Sequence, residues 1–405
     1  MISVEEATAK VLAGVDLVPA ETVSLSAALG RVLAADVAAR VSHPPKAVSA
    51  MDGYAVRAAD AAQIPARLKM IGESAAGAGF KGQVAAGTCV RIFTGAPMPA
   101  GADAIVIQED TDQADGLIVV KEVPKTGKWL RPEGMDFRAG EVLLKAGTVL
   151  SARDVGLAAA MNVPWLSVRR RPRVAIISTG NEVVMPGEPM GPDQIVSSNS
   201  VALAGYVRVL GGEPINLGIA PDEPKTLLAM IDAARGSDLL VTSGGASVGD
   251  YDLVRQALAK TGFDLGFYKV AMRPGKPLIF GRLSGIPVLG LPGNPVSAGV
   301  CAVIYLKPLM AKMLGVAASA AGAEPTALLG GDLPANDHRQ DYLRAALSRN
   351  GAGESVATPF PRQDSAMMAN LAQADCLVVR PPNAAPAKAG ERVRIVALRE
   401  GAVTL

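Results

Sequence analysis

The chain has 405 residues, too many for one hydrophobic core, so about two to four domains are expected. Hydrophobic residues make up 49% of it and aromatics only 4%, which leaves Ala, Val, Leu and Ile to fill the cores. With 40 basic and 38 acidic residues the net charge is +2, and a partner with a nucleic-acid backbone is not expected. The one dense basic run, Arg169 to Arg173 around Pro172, reads as a solvated domain junction. Cys89, Cys301 and Cys376 are far apart, odd in number and set among apolar neighbours, which predicts buried free thiols. The two histidines, His43 and His338, have no metal-ligand partner at useful spacing. Glu5 and Glu6 stand where a signal peptide needs basic residues, and no membrane span is expected, so the expected location is the cytoplasm.

Helical spacing of Val4, Ala7, Val11 and Leu12 predicts a first helix over Ser3 to Leu17, with Ser3 and Glu6 at capping-box spacing. A second helix is expected from Ser24 to Leu33. From Pro44 to Gly140 the chain is rich in Gly and Pro, with short runs at Cys89 to Phe93, Ala104 to Gln108 and Leu117 to Glu122, the pattern of a small β domain. Ala152 to Met161 returns to helix. Arg173 to Ser178 is an apolar run suited to a strand buried on both faces. Strands at Ile215 to Ile219, Asp238 to Thr242, Pro277 to Phe280 and Pro287 to Leu291 alternate with helices at Asn199 to Leu210, Pro224 to Ala234, Tyr251 to Lys260 and Val296 to about Leu314. That alternation predicts a parallel or mixed sheet covered on both faces. Gly315 to Pro325 reads as a linker, and short strands at Tyr342 to Leu347, Cys376 to Arg380 and Arg392 to Leu398 form a last β domain. The expected divisions are 1–43 with 141–171, then 44–140, 172–318 and 319–405.

Polar residues gather where the α/β strands end. Ser178-Thr179-Gly180-Asn181-Glu182, Pro221-Asp222, Ser243-Gly244-Gly245 with Ser247, Gly249, Asp250 and Asp252, and Pro292-Gly293-Asn294-Pro295 with Ser297 all follow carboxyl ends of strands, where open α/β sheets bind ligands. Glycines let backbone N–H groups approach an anion, hydroxyls add donors, and Glu182, Asp222, Asp250 and Asp252 suit a divalent cation beside phosphates. Arg273-Pro274-Gly275-Lys276 puts two cations around a turn, apt for an oxyanion. In the first β domain, Met51-Asp52-Gly53-Tyr54-Ala55 and Phe93-Thr94-Gly95 through Asp103 are compact loops that read first as turns. Gly77 to Gly82 spells a dinucleotide pattern but follows no strand, and it reads as a turn; Gly127-Lys128 lacks the rest of a phosphate-binding loop.

These segments stand in the order found in the molybdopterin molybdenumtransferases, which the chain resembles over essentially its whole length; that family includes domains of animal fusion proteins such as gephyrin. The resemblance implies an elongated multidomain subunit: a doubly wound α/β molybdopterin-binding domain, small β-rich domains and a C-terminal β-barrel-like domain. It also implies a homodimer whose site lies between the α/β domain of one subunit and the Asp52-bearing domain of the other. The implied reaction inserts molybdate into adenylylated molybdopterin and releases AMP, with Mg2+ as cofactor. By motif, Asp52, Thr94, Asp136, Glu182, Asp222 and Asp252 are implicated in activity. Lys276 and Arg273 would bind the oxyanion, with Ser247 and Ser297 nearby. Asn181 stands where the family commonly has Asp, and Met367 where some relatives offer a basic side chain. Transient partners would be a molybdopterin adenylyltransferase and molybdoenzyme apoproteins. The alternatives are an adenylyltransferase on the same α/β fold and a non-catalytic scaffold.

Overall fold

A computed structural model describes residues 1–244, 262–317 and 325–399. The expected helix at Tyr251 to Lys260 lies outside them, as does most of the expected linker. At the centre is the strand Arg173–Thr179, whose residues 174–179 are all buried. It pairs in parallel with Glu213–Ala220 on one side and Leu239–Ser243 on the other. Leu239–Ser243 pairs in parallel with Ile286–Leu291, and the antiparallel strands Ile279–Leu283 and Asp264–Tyr268 complete a six-stranded mixed sheet. Asp264–Tyr268 escapes sequence reading because it is a five-residue edge strand with Gly266 between Leu265 and Phe267, too short for the alternation to stand out.

The alternation of side chains along the central strand divides the core in two. Val174 and Ile176 pack with Leu203, Val207, Val296, Val300 and Leu309 of the helices Asn199–Val209 and Pro295–Leu314. Ala175 and Ile177 pack with Leu227 and Ile231 of the helix Pro224–Ala233 on the opposite face. The sheet is doubly wound. Pro295–Leu314 is by length and composition apolar enough to cross a membrane, but 67% of its most apolar window is buried within the fold, as in the core helix of a globular domain. The opening helix, Val4–Ala13, is capped by Ser3, whose Oγ accepts the Glu6 N–H at 3.0 Å. Its Val4, Ala7 and Val11 enter the first of these two cores, so this helix packs on the α/β layer and not with residues 141–171.

The helix expected over Ser24 to Leu33 is absent. A 3-10 turn, Leu25–Ala27, stands there, because Ala20–Ser24 pairs with Trp165–Arg169 and Leu33 bridges to Val168. Tertiary pairing overrides the local helical spacing. Leu33, Phe137, Leu150, Met161 and Leu166 then form a core of their own from two distant stretches of chain. The Arg169 to Arg173 run is a braced junction: the Arg170 guanidinium donates to both Asp238 carboxylate oxygens at 3.0 and 2.8 Å, and Asp238 also accepts the Arg173 N–H at 2.6 Å.

Residues 53–120 contribute a second six-stranded sheet, ordered Ala104–Ile107, Gly53–Val56, Thr88–Ile92, Ala66–Ser74, Leu117–Val120, Thr111–Ala114. In the last domain, Gln340–Arg349, Ser355–Pro359, Thr326–Leu329, Arg392–Ala397 and Cys376–Arg380 pair in that order, and Cys376–Arg380 pairs back on Gln340–Arg349. This closed five-stranded barrel has no free edge among its five strands. Its interior holds small residues, Ala327, Ala345, Ala357 and Cys376 among them, as a narrow barrel requires. All three cysteines are buried and free.

Gly53 opens the strand that carries Asp52 into the second sheet, and a Cβ there would collide with the Val106 carbonyl oxygen. Gly53→Ala is expected to cost about 1–3 kcal/mol by overpacking. Thermal unfolding followed by circular dichroism should show the lowest-melting transition displaced downward, and an unchanged melting profile would show that the sheet yields at this point.

Candidate active site

A cleft of about 560 Å3 opens at the carboxyl ends of the parallel strands. Its wall brings together Ser178, Thr179, Gly180, Glu182, Asp222, Ser243, Gly244, Pro292, Gly293, Asn294, Pro295 and Ser297 from four separate loops. Gly245, Ser247, Gly249, Asp250 and Asp252 lie outside the described residues. Gly244 has φ +92°, and a Cβ on it would sit 2.6 Å from the Thr179 carbonyl oxygen, so only glycine lets the two strand ends meet so closely. The hydroxyls of Ser178 and Thr179 are buried and have no hydrogen-bond partner among the described residues; the same holds for Thr242, just behind Ser243. Buried hydroxyls are nearly always satisfied, so a bound ligand is the natural partner for the two on the cleft wall.

Among the described residues, two carboxylates line this cleft. Asp222 is braced against the neighbouring loop: its N–H donates to Asn181 Oδ1 at 3.0 Å, and its Oδ2 accepts the Asn181 N–H at 3.4 Å. Glu182 lies on the same loop as Asn181 and is exposed. No group of three or more potential metal-ligating side chains exists among the described residues. Magnesium commonly binds through one or two carboxylates completed by water and substrate phosphates, a pattern that Glu182 and Asp222 fit.

Ser197, Ser198 and Asn199 also line the cleft, and they are absent from the residues expected on the sequence alone. Asn199 Nδ2 donates to Ser243 Oγ and to the Gly293 carbonyl, both at 2.7 Å, and so ties three loops together. The helix Asn199–Val209 starts here with no side chain capping it, so its first N–H groups are directed at the cleft. A Ser-Ser-Asn run before an apolar helix is the signal that announces such a terminus.

The cationic loop divides differently from what the resemblance implies. Arg273 is engaged by the barrel: Nε donates to Asp341 Oδ1 at 2.9 Å, Nη2 to Asp341 Oδ2 and, at 3.2 Å, to Asn336 Oδ1, while Nη1 is 3.5 Å from Asp337. Lys276 is exposed and unpartnered among the described residues, and its neighbour Pro277 is on the cleft wall. A further cation is one that sequence reasoning missed. Arg344 is 0% exposed, and none of its guanidinium nitrogens has a partner among the described residues. Its register partner Leu377 and its same-face neighbour Tyr342 belong to the core shared with the α/β domain, so it faces that junction. Burial lowers its pKa, with Asp364 pulling the other way. The loop at this junction also abuts the cleft, since Asn294 Nδ2 donates to Ser365 Oγ at 2.9 Å.

Asp52, Thr94 and Asp136 do not line the cleft. They gather instead on the first β domain. Asp52 Oδ1 accepts the Thr94 N–H at 2.7 Å and the Thr94 hydroxyl at 2.8 Å. Asp136 lines a second cavity of about 750 Å3 with Gly95, His43, Lys46 and Arg131. The Thr94 amide, then the Thr94 hydroxyl, then the Arg91 charge hold the Asp52 carboxyl below the ordinary carboxylate range. Asp52 is therefore an anion at neutral pH and a weak proton acceptor.

Three family models match the chain in order. They are described as the MoeA N-terminal region (domains I and II), over residues 2–162; a probable molybdopterin binding domain, over 175–312; and the MoeA C-terminal region (domain IV), over 326–398. The molybdopterin molybdenumtransferase of Haemophilus influenzae is 34% identical over 98% of each chain. The chain belongs to the molybdopterin molybdenumtransferase family. A second member, from Nostoc sp., is 38% identical over 93% of this chain and 88% of its own. A crystal structure of the molybdopterin biosynthesis MoeA protein from Pyrococcus horikoshii matches with a TM-score of 0.88 at 31% identity, covering 99% of this chain and all of that one. Neither the adenylyltransferase nor the scaffold alternative is favoured by these matches.

For Asp52 the hydrogen bonds make a quantitative expectation. Thr94→Val removes the hydroxyl donor and keeps the amide, so the Asp52 pKa should rise toward the ordinary value and stop short of it. Carboxyl NMR titration measures this, and an Asp52 titration unchanged by the substitution would show that the hydroxyl bond does not form in solution.

Proposed function

We propose that this chain completes the molybdenum cofactor, joining molybdate to the dithiolene of adenylylated molybdopterin and releasing AMP. One observation carries the assignment to the cleft: its wall holds buried hydroxyls at Ser178 and Thr179 that lack partners among the described residues, beside glycines and a helix start without a capping hydrogen bond from Ser198. That is a cradle for phosphate groups. Glu182 and Asp222, with Asp252 by resemblance, would hold Mg2+, which supplies charge neutralisation at the phosphates. Lys276 and Arg344 would take the oxyanion, one as an exposed point charge and the other as a buried guanidinium in need of a counter-charge.

The separation of Asp52, Thr94 and Asp136 from the cleft supports the reading of a homodimer in which one protomer's first β domain completes its partner's site. As an anion with one oxygen already bonded to Thr94, Asp52 would orient substrate or a cation through its other oxygen. Molybdopterin adenylyltransferase and molybdoenzyme apoproteins would be transient partners that supply the substrate and take the product.

Purified protein given adenylylated molybdopterin, molybdate and Mg2+ should release AMP, measurable by chromatography. Glu182→Gln and Asp52→Asn should each lower turnover by about 10²-fold or more, the range for losing a preorganised charge at a reacting centre. Both side chains are exposed, so folding should be untouched. Full turnover in Glu182→Gln would remove the cleft from the reaction.

A further inference from the structure

The Arg273 to Lys276 loop joins two units of the fold. Met272–Arg273 pairs in parallel with Gln340–Asp341 of the barrel, and the Gln340 N–H donates to the Ala271 carbonyl at 2.9 Å. Asp341 is only 4% exposed, and its two oxygens take Nε and Nη2 of Arg273, a two-pronged match that a planar guanidinium makes and an ammonium does not. Beneath the loop two buried side chains support it: the Tyr305 hydroxyl reaches Met272 Sδ at 3.5 Å, and Cys301 Sγ lies 3.9 Å from the Gly275 carbonyl oxygen. The loop is thus pinned at residues 272, 273 and 275, while the Lys276 side chain is exposed next to the cleft-lining Pro277.

A carboxylate buried without its cation is strongly unfavourable, and swinging Arg273 toward an anion in the cleft would leave Asp341 in that state. We infer that Arg273 and Asp341 form a positioning latch through which the C-terminal barrel sets Lys276 beside the cleft, and that Arg273 is not itself an oxyanion ligand. The identity of the oxyanion rests on the proposed function; the latch does not. The two roles predict opposite responses to charge. Removing the carboxylate frees a direct ligand to bind its anion more tightly, whereas it disables a latch.

Arg273→Lys, Asp341→Asn and the double variant of the full-length protein separate these cases. The measurements are molybdate-dependent AMP release and hydrogen exchange at the Val270 and Leu278 amides, which donate to the Lys276 carbonyl at 3.0 and 3.1 Å. The latch predicts that each single variant raises KM for molybdate about fivefold to tenfold, more than it lowers kcat. It also predicts faster exchange at both amides, and a double variant no worse than the weaker single one. Lys276→Ala should raise KM while leaving exchange unchanged. A lowered KM in Asp341→Asn, with Arg273→Lys near wild type and exchange unaltered, would overturn the latch. If the wild-type protein released no AMP in response to molybdate, the proposed function would fail, and the exchange data would still decide the latch.

Discussion

The cleft depends on the registration of parallel strands, three of which are buried on both faces. Ser178 lies level with Ser243, Ser243 with Leu291, and Thr179 with Ala220, so the strands run out into loops at nearly the same height. Inside the sheet such strands admit almost only apolar residues, and polar chemistry is pushed to their ends. A slip of one residue along Arg173–Thr179 would send Val174 and Ile176 to the wrong layer and misplace the loop from Gly180 to Glu182. The two separate helical cores on either face resist that slip, which ties the geometry of the site to the bulk of the hydrophobic packing.

The barrel contributes to the same region from the other side. It receives a two-residue strand from the α/β domain, engages Arg273, and presents Ser365 to the Asn294 loop. It also buries Arg344 at the shared junction without a partner among the described residues, an arrangement that is costly unless an anion arrives. Buried hydroxyls on the cleft wall and a buried guanidinium at the barrel junction, all without partners among the described residues, are the kind of groups that a phosphorylated substrate and an oxyanion would satisfy.

The parts of the fold legible in the sequence were those whose signal is local. A continuous apolar run followed by Ser-Thr-Gly or Pro-Gly-Asn marks a buried strand and its loop together, and twelve cleft residues could be named that way. Signals carried by distant residues could not be read. Arg273 looks like an anion ligand until Asp341, 68 positions away, is seen to hold it. Arg344 sits in an ordinary β pattern and is exceptional only because the α/β domain covers it. The mistaken helix at Ser24 to Leu33 has the same origin, since its competing partner, Trp165–Arg169, lies far along the chain. Ser197 to Asn199 is the exception, a local capping signal open to recognition.

A crystal structure with AMP and Mg2+ bound is the most direct measurement of the central claim, that the strand-end cleft holds the adenylylated end of the substrate. The phosphate should lie within hydrogen-bond reach of the Ser178 or Thr179 hydroxyl and the Gly180 to Glu182 backbone, with the cation against Glu182 or Asp222. Nucleotide bound at another surface, with both hydroxyls still unengaged, would contradict the account.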